Sequence, residues 1–569
     1  MRKFFAYFAV KKNFLTAPIF FLKDLKMVIT GNRILVSLLM LLIAGCSKSF
    51  NPQNHDEVKT HGIIPLPLHA DFLPGSLIID SSTVILSPDS FAAAKNAAEN
   101  SLNNALINSG GNDSDTSGKK KISFITDNSL NQEGYEIHIS EGGITLSART
   151  PQGAFYAAQS LCQMIWEITG GKKKSSFEMR YINISDAPKY SWRGFHIDIS
   201  RHFFTKDYIL KVIDELSYYK INKLHLHLTD DQGWRIEITQ FPLLTETGAW
   251  RPFNEMDSTC MKKAETDSKY VIDPRFIKSV NGNTLYGGSF TKQDIRDIVA
   301  YAGEHFIEVI PEIDMPGHMS AAINAYPFLS CSGAPGWGTE FSYPICPCNA
   351  DVLNFCHNIW DEITELFPSQ FVHIGCDEVE KNTWEASADC QSFMIQNNLH
   401  SLNDLQSYFV GDLQHYLESK GKTVIVWDDV IDSKADNSLV MMYWRDWVTD
   451  SPSRCAANGN NIILAPWSPF YISGDHTDKT LQALYDYNPD AMFPSQVTEK
   501  VIGLQSCLWT EEIPSEAMFE YLVYPRMQAL SEVEWGAGRD WTTFKIRLVS
   551  HMKYMTAKKI SYRKPGWAL

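Results

Sequence analysis

A chain of 569 residues is too long for one domain and suits two or three. With 44% hydrophobic and 12% aromatic residues it has ample material for packed cores, which excludes a disordered polypeptide. A formal net charge of −15 argues against nucleic acid or an anionic membrane surface as the main partner. The sequence holds no Gly-rich phosphate loop, no zinc-type Cys/His spacing and no internal repeat, so neither a metal nor a cofactor is expected.

Residues 34–44 form an apolar run behind Arg33, too short to span a bilayer but right for the core of a signal peptide. The run ends in Leu42-Ile43-Ala44-Gly45-Cys46, which resembles a bacterial lipoprotein signal box with Cys46 as the lipidated residue. Met27 to Cys46 is a complete signal peptide by itself, so Met27 is the expected start, and residues 1–46 are set apart from the mature chain. Polar residues 47–61 read as a tether. The expectation is an exported lipoprotein held at the outer membrane by its lipid anchor, on the periplasmic side or at the cell surface. Among the eleven cysteines, Cys331, Cys346 and Cys348 lie in one loop region where a disulfide can form. Others, such as Cys162 and Cys507, sit in apolar segments and read as buried thiols.

Residues 62–187 read as a small α+β domain. Strands are expected at 77–80, 83–86, 121–125, 135–139 and 144–148, with a helix at 91–106 and a surface loop at 109–121. Thr150 caps a second helix, 151–168, with Pro151 in its first turn. From Trp192 the texture changes to β-runs alternating with helical segments, the mark of a parallel sheet with helical crossovers. Eight β-runs are counted: 194–199, 223–228, 306–313, 371–374, 423–427, 439–444, 461–466 and 501–509. Helices at 205–219, 292–305, 351–366 and 402–419 separate several of them. The fold class is therefore α/β, a (β/α)8 barrel over residues 190–538 preceded by the small α+β domain, with a C-terminal helix and tail at 539–569.

Every β-run leads into charged or aromatic residues, on the rim where barrel enzymes place their sites. In order these are Ser200-Arg201-His202, Thr229-Asp230-Asp231, Asp314 through His318, Asp377-Glu378, Trp427-Asp428-Asp429, Trp444-Arg445-Asp446, Trp467 with Tyr471, and Trp509-Thr510-Glu511. Acids, Arg, His and several Trp on one rim describe a pocket for a neutral, polyhydroxylated ring. Asp377 and Glu378 follow the short strand Phe371-Val372-His373-Ile374. Neighbours on a strand face opposite ways, so these two acids share one site only where the strand ends.

These residues resemble family 20 of the glycoside hydrolases, the β-N-acetylhexosaminidases. The matching motifs are Trp192-Arg193-Gly194 through Phe203, His225 through Trp234, Pro311-Glu312-Ile313-Asp314-Met315-Pro316-Gly317-His318, and His373 through Val379. The resemblance covers residues 63–538. It implies an exo-acting enzyme that removes terminal β-linked N-acetylglucosamine or N-acetylgalactosamine from glycans. Glu378 would be the general acid/base. The substrate's own 2-acetamido oxygen would attack the anomeric carbon, giving an oxazolinium intermediate and net retention. Asp377 would hold the acetamido N–H, and Tyr471 the acetamido oxygen. Trp427, Trp444 and Trp509 would wall the N-acetyl pocket, Arg201 and Glu511 would grip the remote hydroxyls, and Asp230, Asp314 and His318 would support them. The resemblance implies no cofactor.

Two positions depart from the family. Cys376 stands where glycine is usual, with the expectation that a side chain loses access to positive φ. Ser473 stands where many relatives carry an Asp that contacts substrate, with Asp475 as a substitute. Alternatives to the leading reading are a family member that releases a disaccharide or acts on sulfated sugars, an inactive sugar-binding lipoprotein, and an ordinary retaining glycosidase with a carboxylate nucleophile.

Overall fold

The computed structural model describes residues 61–107, 119–338 and 341–568. Cys46, the signal segment and nearly all of the tether lie outside the described residues, as does most of the 109–121 loop.

The first domain is a six-stranded sheet made of β1 (His69–Asp80), β2 (Val84–Leu86), β3 (Lys121–Thr126), β4 (Tyr135–Ser140), β5 (Gly143–Ala148) and β6 (Ser176–Asp186). Its strand order is β1-β6-β4-β5-β3-β2. Along β4 alternate residues are buried, so one face packs on the helices Ala92–Ala105 and Pro151–Thr169. The second helix starts where Thr150 Oγ1 accepts from Gly153 N at 3.2 Å, and it stops at Gly170, whose φ is 59°. Two features were not read from the sequence. β6 is absent from the expected strands, and β1 begins eight residues earlier than residue 77.

All eight expected β-runs form strands of one closed parallel barrel. They are β7 (Trp192–Asp198), β8 (Lys223–His227), β9 (Glu308–Glu312), β10 (Phe371–His373), β11 (Thr423–Trp427), β12 (Val440–Tyr443), β13 (Asn461–Leu464) and β14 (Val501–Leu508). Neighbours in sequence are neighbours in the barrel, and β14 pairs with β7 to close it, from Gly503 opposite Trp192 to Leu508 opposite Ile197. Parallel strands need crossovers. Hydroxyl caps set the crossover starts: Thr205 Oγ1 accepts from Tyr208 N and Ser401 Oγ from Asp404 N, while Thr291 and Asp294 form a reciprocal capping box.

The sheet domain is fastened to the barrel through buried polar contacts near the start of β7. The Arg193 guanidinium donates to Glu133, to the Tyr190 carbonyl and to the Lys220 carbonyl, and Trp535 Nε1 donates to Asp186 Oδ1 at 2.8 Å. A late helix, Trp541–Ala557, joins the same seam, with Arg547 donating to the Ile63 carbonyl and His551 Nδ1 lying 3.0 Å from the Tyr219 hydroxyl.

Candidate active site

The chain leaves β10 through a run of left-handed backbone: Gly375 at φ 69°, Cys376 at 77° and Glu378 at 49°. Gly375 has to be glycine, because a Cβ there would lie 1.7 Å from Asp314 Oδ1. Cys376 takes the left-handed conformation despite its side chain, which corrects the expected loss of positive φ. Its N–H donates to Asp314 Oδ1 at 3.1 Å, its carbonyl accepts from Gln406 Nε2 at 3.0 Å, and its buried Sγ lies 3.0 Å from the Met315 carbonyl. Three anchors hold a conformation that costs an L-residue about 1–2 kcal/mol. The turn breaks strand alternation, so Asp377 and Glu378 face the same histidine. His318 Nε2 is 3.9 Å from Asp377 Oδ2 and 3.8 Å from Glu378 Oε2.

The two carboxyls sit in unequal settings. Burial pushes the Glu378 carboxyl up to about 8; Asp377 and Asp429 add to the rise, while His318 and Arg201 oppose it. Glu378 is thus a protonated acid at neutral pH, as a group that donates to a leaving oxygen must be. Asp377 is more deeply buried, and its carboxyl is also raised by burial, with His318 pulling it back. Its Oδ1 makes no hydrogen bond among the described residues. Burial alone would lower His318, but Asp230, 3.2 Å from Nδ1, holds it well above its usual range, so it carries charge beside both acids. Burial raises Asp314 well above the carboxylate range, and Asp377 adds to that shift.

Arg201 and Asp230 form the neighbouring wall. Arg201 Nη2 is 2.8 Å from Asp230 Oδ2, Nη1 is 3.3 Å from Asp198 Oδ2, and Nε donates to Gln232 Oε1 at 2.9 Å. Burial opposes ionisation of Asp230, yet Arg201 and His318 win and hold its carboxyl well below the usual range. The Arg201 guanidinium also lies 5.0 Å over the Trp509 ring, a cation–π contact. Glu511 follows Trp509 and Thr510, and its carboxyl is raised by burial against the pull of Arg201.

The aromatic wall is continuous. The Trp444 and Tyr471 rings are nearly parallel, 12° apart at 6.1 Å, and Tyr471 lies 6.0 Å from Trp509. Burial keeps the Tyr471 phenol protonated well above its ordinary range, so its O–H is a donor. Trp427 is fully buried, its ring 5.9 Å from that of Trp509, and it donates Nε1 to Glu312 Oε1 at 2.8 Å. Ser473 has a structural task, its Oγ accepting from Trp509 N at 2.7 Å, and Asp475 is exposed.

Two groups named in the sequence, Asp429 and Glu312, carry tasks that it does not reveal. Asp429 accepts from Trp444 Nε1 on Oδ2 at 2.7 Å and from Glu378 N on Oδ1 at 3.3 Å. Burial raises its carboxyl to about 7. With Glu378, Lys381, Asn403 and Gln406 it lines a polar cleft of about 200 Å³. Beneath the site Glu312 gathers four barrel histidines: Oε2 is 2.6 Å from His227 and 3.2 Å from His225, Oε1 is 3.0 Å from His373, and His196 stands at 3.8 Å.

A raised acid, a buried partner carboxylate and an aromatic wall on one barrel rim are the equipment of a sugar-cleaving site. The family model for the glycosyl hydrolase family 20 catalytic domain matches residues 190–537, and the model for that family's domain 2 matches residues 60–187. The chain belongs to glycoside hydrolase family 20. A β-hexosaminidase of Porphyromonas gingivalis is 32% identical over 557 residues, which span 93% of this chain and 67% of that protein. Among solved structures, the family 20 exo-β-N-acetylglucosaminidase of Vibrio harveyi, in complex with N-acetylglucosamine, superposes with a TM-score of 0.76 at 28% identity, covering 89% of this chain and 78% of that one. The β-N-acetylhexosaminidase of Bacteroides fragilis gives 0.73 at 26% identity, with 88% and 97% covered. This family 20 member is thus a glycoside hydrolase whose catalytic (β/α)8 barrel follows the family's second domain. In this chain Cys376 is left-handed and Ser473 props Trp509.

Proposed function

We propose that the enzyme removes terminal, non-reducing β-linked N-acetylhexosamine from glycans, with the substrate's acetamido oxygen as nucleophile and retention at the anomeric carbon. The observation that carries this reading is the pair of unequal carboxyls at the end of β10. Glu378, raised to about 8, brings the proton that the departing glycosidic oxygen needs. Asp377, buried with Oδ1 unpartnered among the described residues, offers an acceptor to the acetamido N–H and negative charge to the ring as it becomes cationic. Tyr471 donates to the acetamido oxygen from the other side. Trp444 and Trp509 confine the N-acetyl group over Trp427, which keeps that oxygen in a near-attack position. In the second step Glu378, now ionised, draws a proton from water as it opens the oxazolinium ring. Arg201, braced by Asp230, and Glu511 take the hydroxyls remote from the reacting carbon.

The test is turnover of aryl β-N-acetylglucosaminide, β-N-acetylgalactosaminide and β-glucoside, with a thiazoline mimic of the oxazoline as inhibitor. Cleavage of both acetamido sugars, inertness of the glucoside and tight thiazoline inhibition are expected. Turnover of the glucoside without thiazoline inhibition would sink the substrate-assisted reading. The lipobox supports a companion proposal, that Cys46 anchors the enzyme to the outer membrane. Cys46→Ala is then expected to leave the membrane fraction; retention there would overturn it.

A further inference from the structure

Four cysteines from three separate segments meet beside the site. Cys331 follows the short turn Pro327–Leu329, Cys346 and Cys348 precede the helix Ala350–Leu366, and Cys390 lies in the first turn of the helix Ala388–Gln396. Their four sulfurs all lie within 4.8 Å of one another. Cys331 and Cys346 are joined as a disulfide; beyond that bond, Cys331 and Cys390 are 3.5 Å apart, Cys346 and Cys348 3.4 Å, and Cys346 and Cys390 3.8 Å. We propose that Cys331, Cys346, Cys348 and Cys390 form a tetrathiolate site for zinc, of which the Cys331–Cys346 disulfide is the oxidised, metal-free form.

Beyond the bonded pair, the four sulfurs make close contacts across all three segments. Here Cys346 Sγ is close to all three others, and Cys390 Sγ touches both members of the bonded pair. That is the arrangement of ligands around a shared centre. A tetrahedron with Zn–S bonds of about 2.3 Å has sulfur–sulfur edges of about 3.8 Å, near the separations of 3.4, 3.5 and 3.8 Å found for three of the five non-bonded pairs. Cys346 and Cys390 are buried and Cys331 and Cys348 half-buried, as befits a closed structural site with four protein ligands. Thiolates select zinc over magnesium or calcium.

Loading involves no electron transfer: one Zn²⁺ replaces the four thiol protons. Conversion to the disulfide form is a two-electron oxidation by hydrogen peroxide, with four protons drawn from solvent, two for the waters formed and two for the released thiols. The peroxide O–O bond breaks to give two waters, a sulfur–sulfur bond forms between Cys331 and Cys346, zinc leaves, and Cys348 and Cys390 take up protons. The site ties the segment that follows β9 to the helix that follows the catalytic loop. That segment carries Ser342, whose N–H donates to Asp231 Oδ2 at 2.7 Å, and Phe341, whose ring is 5.3 Å from His318.

The test uses the whole chain, reduced with a phosphine, freed of metal, desalted without oxygen and titrated with Co²⁺ and then Zn²⁺. One cobalt per chain is expected, with thiolate-to-cobalt charge-transfer absorption and tetrahedral ligand-field bands that equimolar zinc abolishes. Peroxide is then expected to release the zinc and leave a Cys331–Cys346 peptide in disulfide mapping. Cys348→Ser with Cys390→Ser spares the disulfide and is expected to lose the cobalt spectrum while still hydrolysing an aryl glycoside. Reduced, active protein with all four thiols alkylatable but no cobalt uptake overturns the site, as does unchanged uptake by the double variant. A second disulfide between Cys348 and Cys390, with no metal bound after reduction, also overturns it.

Discussion

Two carboxylate–histidine groups sit one above the other in the barrel, and they have opposite fates. Below, Glu312 is crowded by partners: Trp427 Nε1 and His227 Nδ1 are hydrogen-bonded to it at 2.8 and 2.6 Å, and the nearest nitrogens of His373 and His225 lie 3.0 and 3.2 Å away. Burial would raise its carboxyl, but the histidines hold it well below the usual range. Above, His318 reaches Asp377 and Glu378 only at 3.9 and 3.8 Å, and both acids are raised. The residue types are the same, and the distance of the donors decides the outcome. Within hydrogen-bond range the carboxylate is ionised and fixed; just outside it, the acid keeps its proton or an unused acceptor for a substrate.

The contrast can be broken from either side. Glu378→Gln is expected to lower turnover of an unactivated N-acetylglucosaminide about a hundred- to ten-thousand-fold, and that of a nitrophenyl glycoside far less. In the wild type the active, protonated Glu378 survives until the pH passes its folded value, so kcat/KM is expected to fall above about 8, a limb the Gln variant lacks. Equal losses on both substrates would remove Glu378 from the acid role. Glu312→Gln attacks the lower group and leaves the buried His227 with Asp230 as its one remaining carboxylate, so urea denaturation at pH 7 is expected to show a loss of about 1–3 kcal/mol. A depressed carboxyl contributes stability above its unfolded value of about 4.3 and loses it as pH falls towards the folded one, so the gap should narrow in acid.

Smaller changes sharpen the boundary between the two groups. His318→Gln withdraws the charge that opposes the rise of Glu378, so the alkaline limb is expected to move up by about one pH unit. A limb that stays in place would show that His318 only holds Asp230. Cys376→Gly relieves about 1–2 kcal/mol of left-handed strain but gives up the packed thiol, and the two nearly cancel. Its urea midpoint should barely move, and kcat/KM should stay within about threefold; a large drop would give the thiol a part in shaping the pocket.

The barrel was legible because its strands are buried apolar runs, each ending in conspicuous polar or aromatic residues. The sheet domain was less so. Pro74-Gly75 reads as a strand breaker, yet β1 runs through it, because the register shift between Phe72 and Ser76 absorbs the pair on an edge strand. The rim acids were visible, but Asp429 looked like one of several, since its task depends on reaching Trp444 and the Glu378 backbone from another strand. Cys390 was invisible for the same reason: sequence spacing does not show that a later helix returns to the 331–348 loop. Cys376 was noticed as odd, but the three anchors that keep it left-handed come from Asp314, Met315 and Gln406, none of them a sequence neighbour.

Asp429 serves two masters. One oxygen accepts from the Trp444 indole, and the other from the backbone of Glu378, the proposed proton donor. Pocket width and acid placement are therefore not separate dials. A change that tilts Trp444 to admit a bulkier acyl group drags the same carboxylate, and with it the reach of Glu378 towards the bond to be cut. On the proposed mechanism, selectivity for the small acetyl group and catalytic power are inherited together, and widening the one would have to begin by finding Glu378 a new brace.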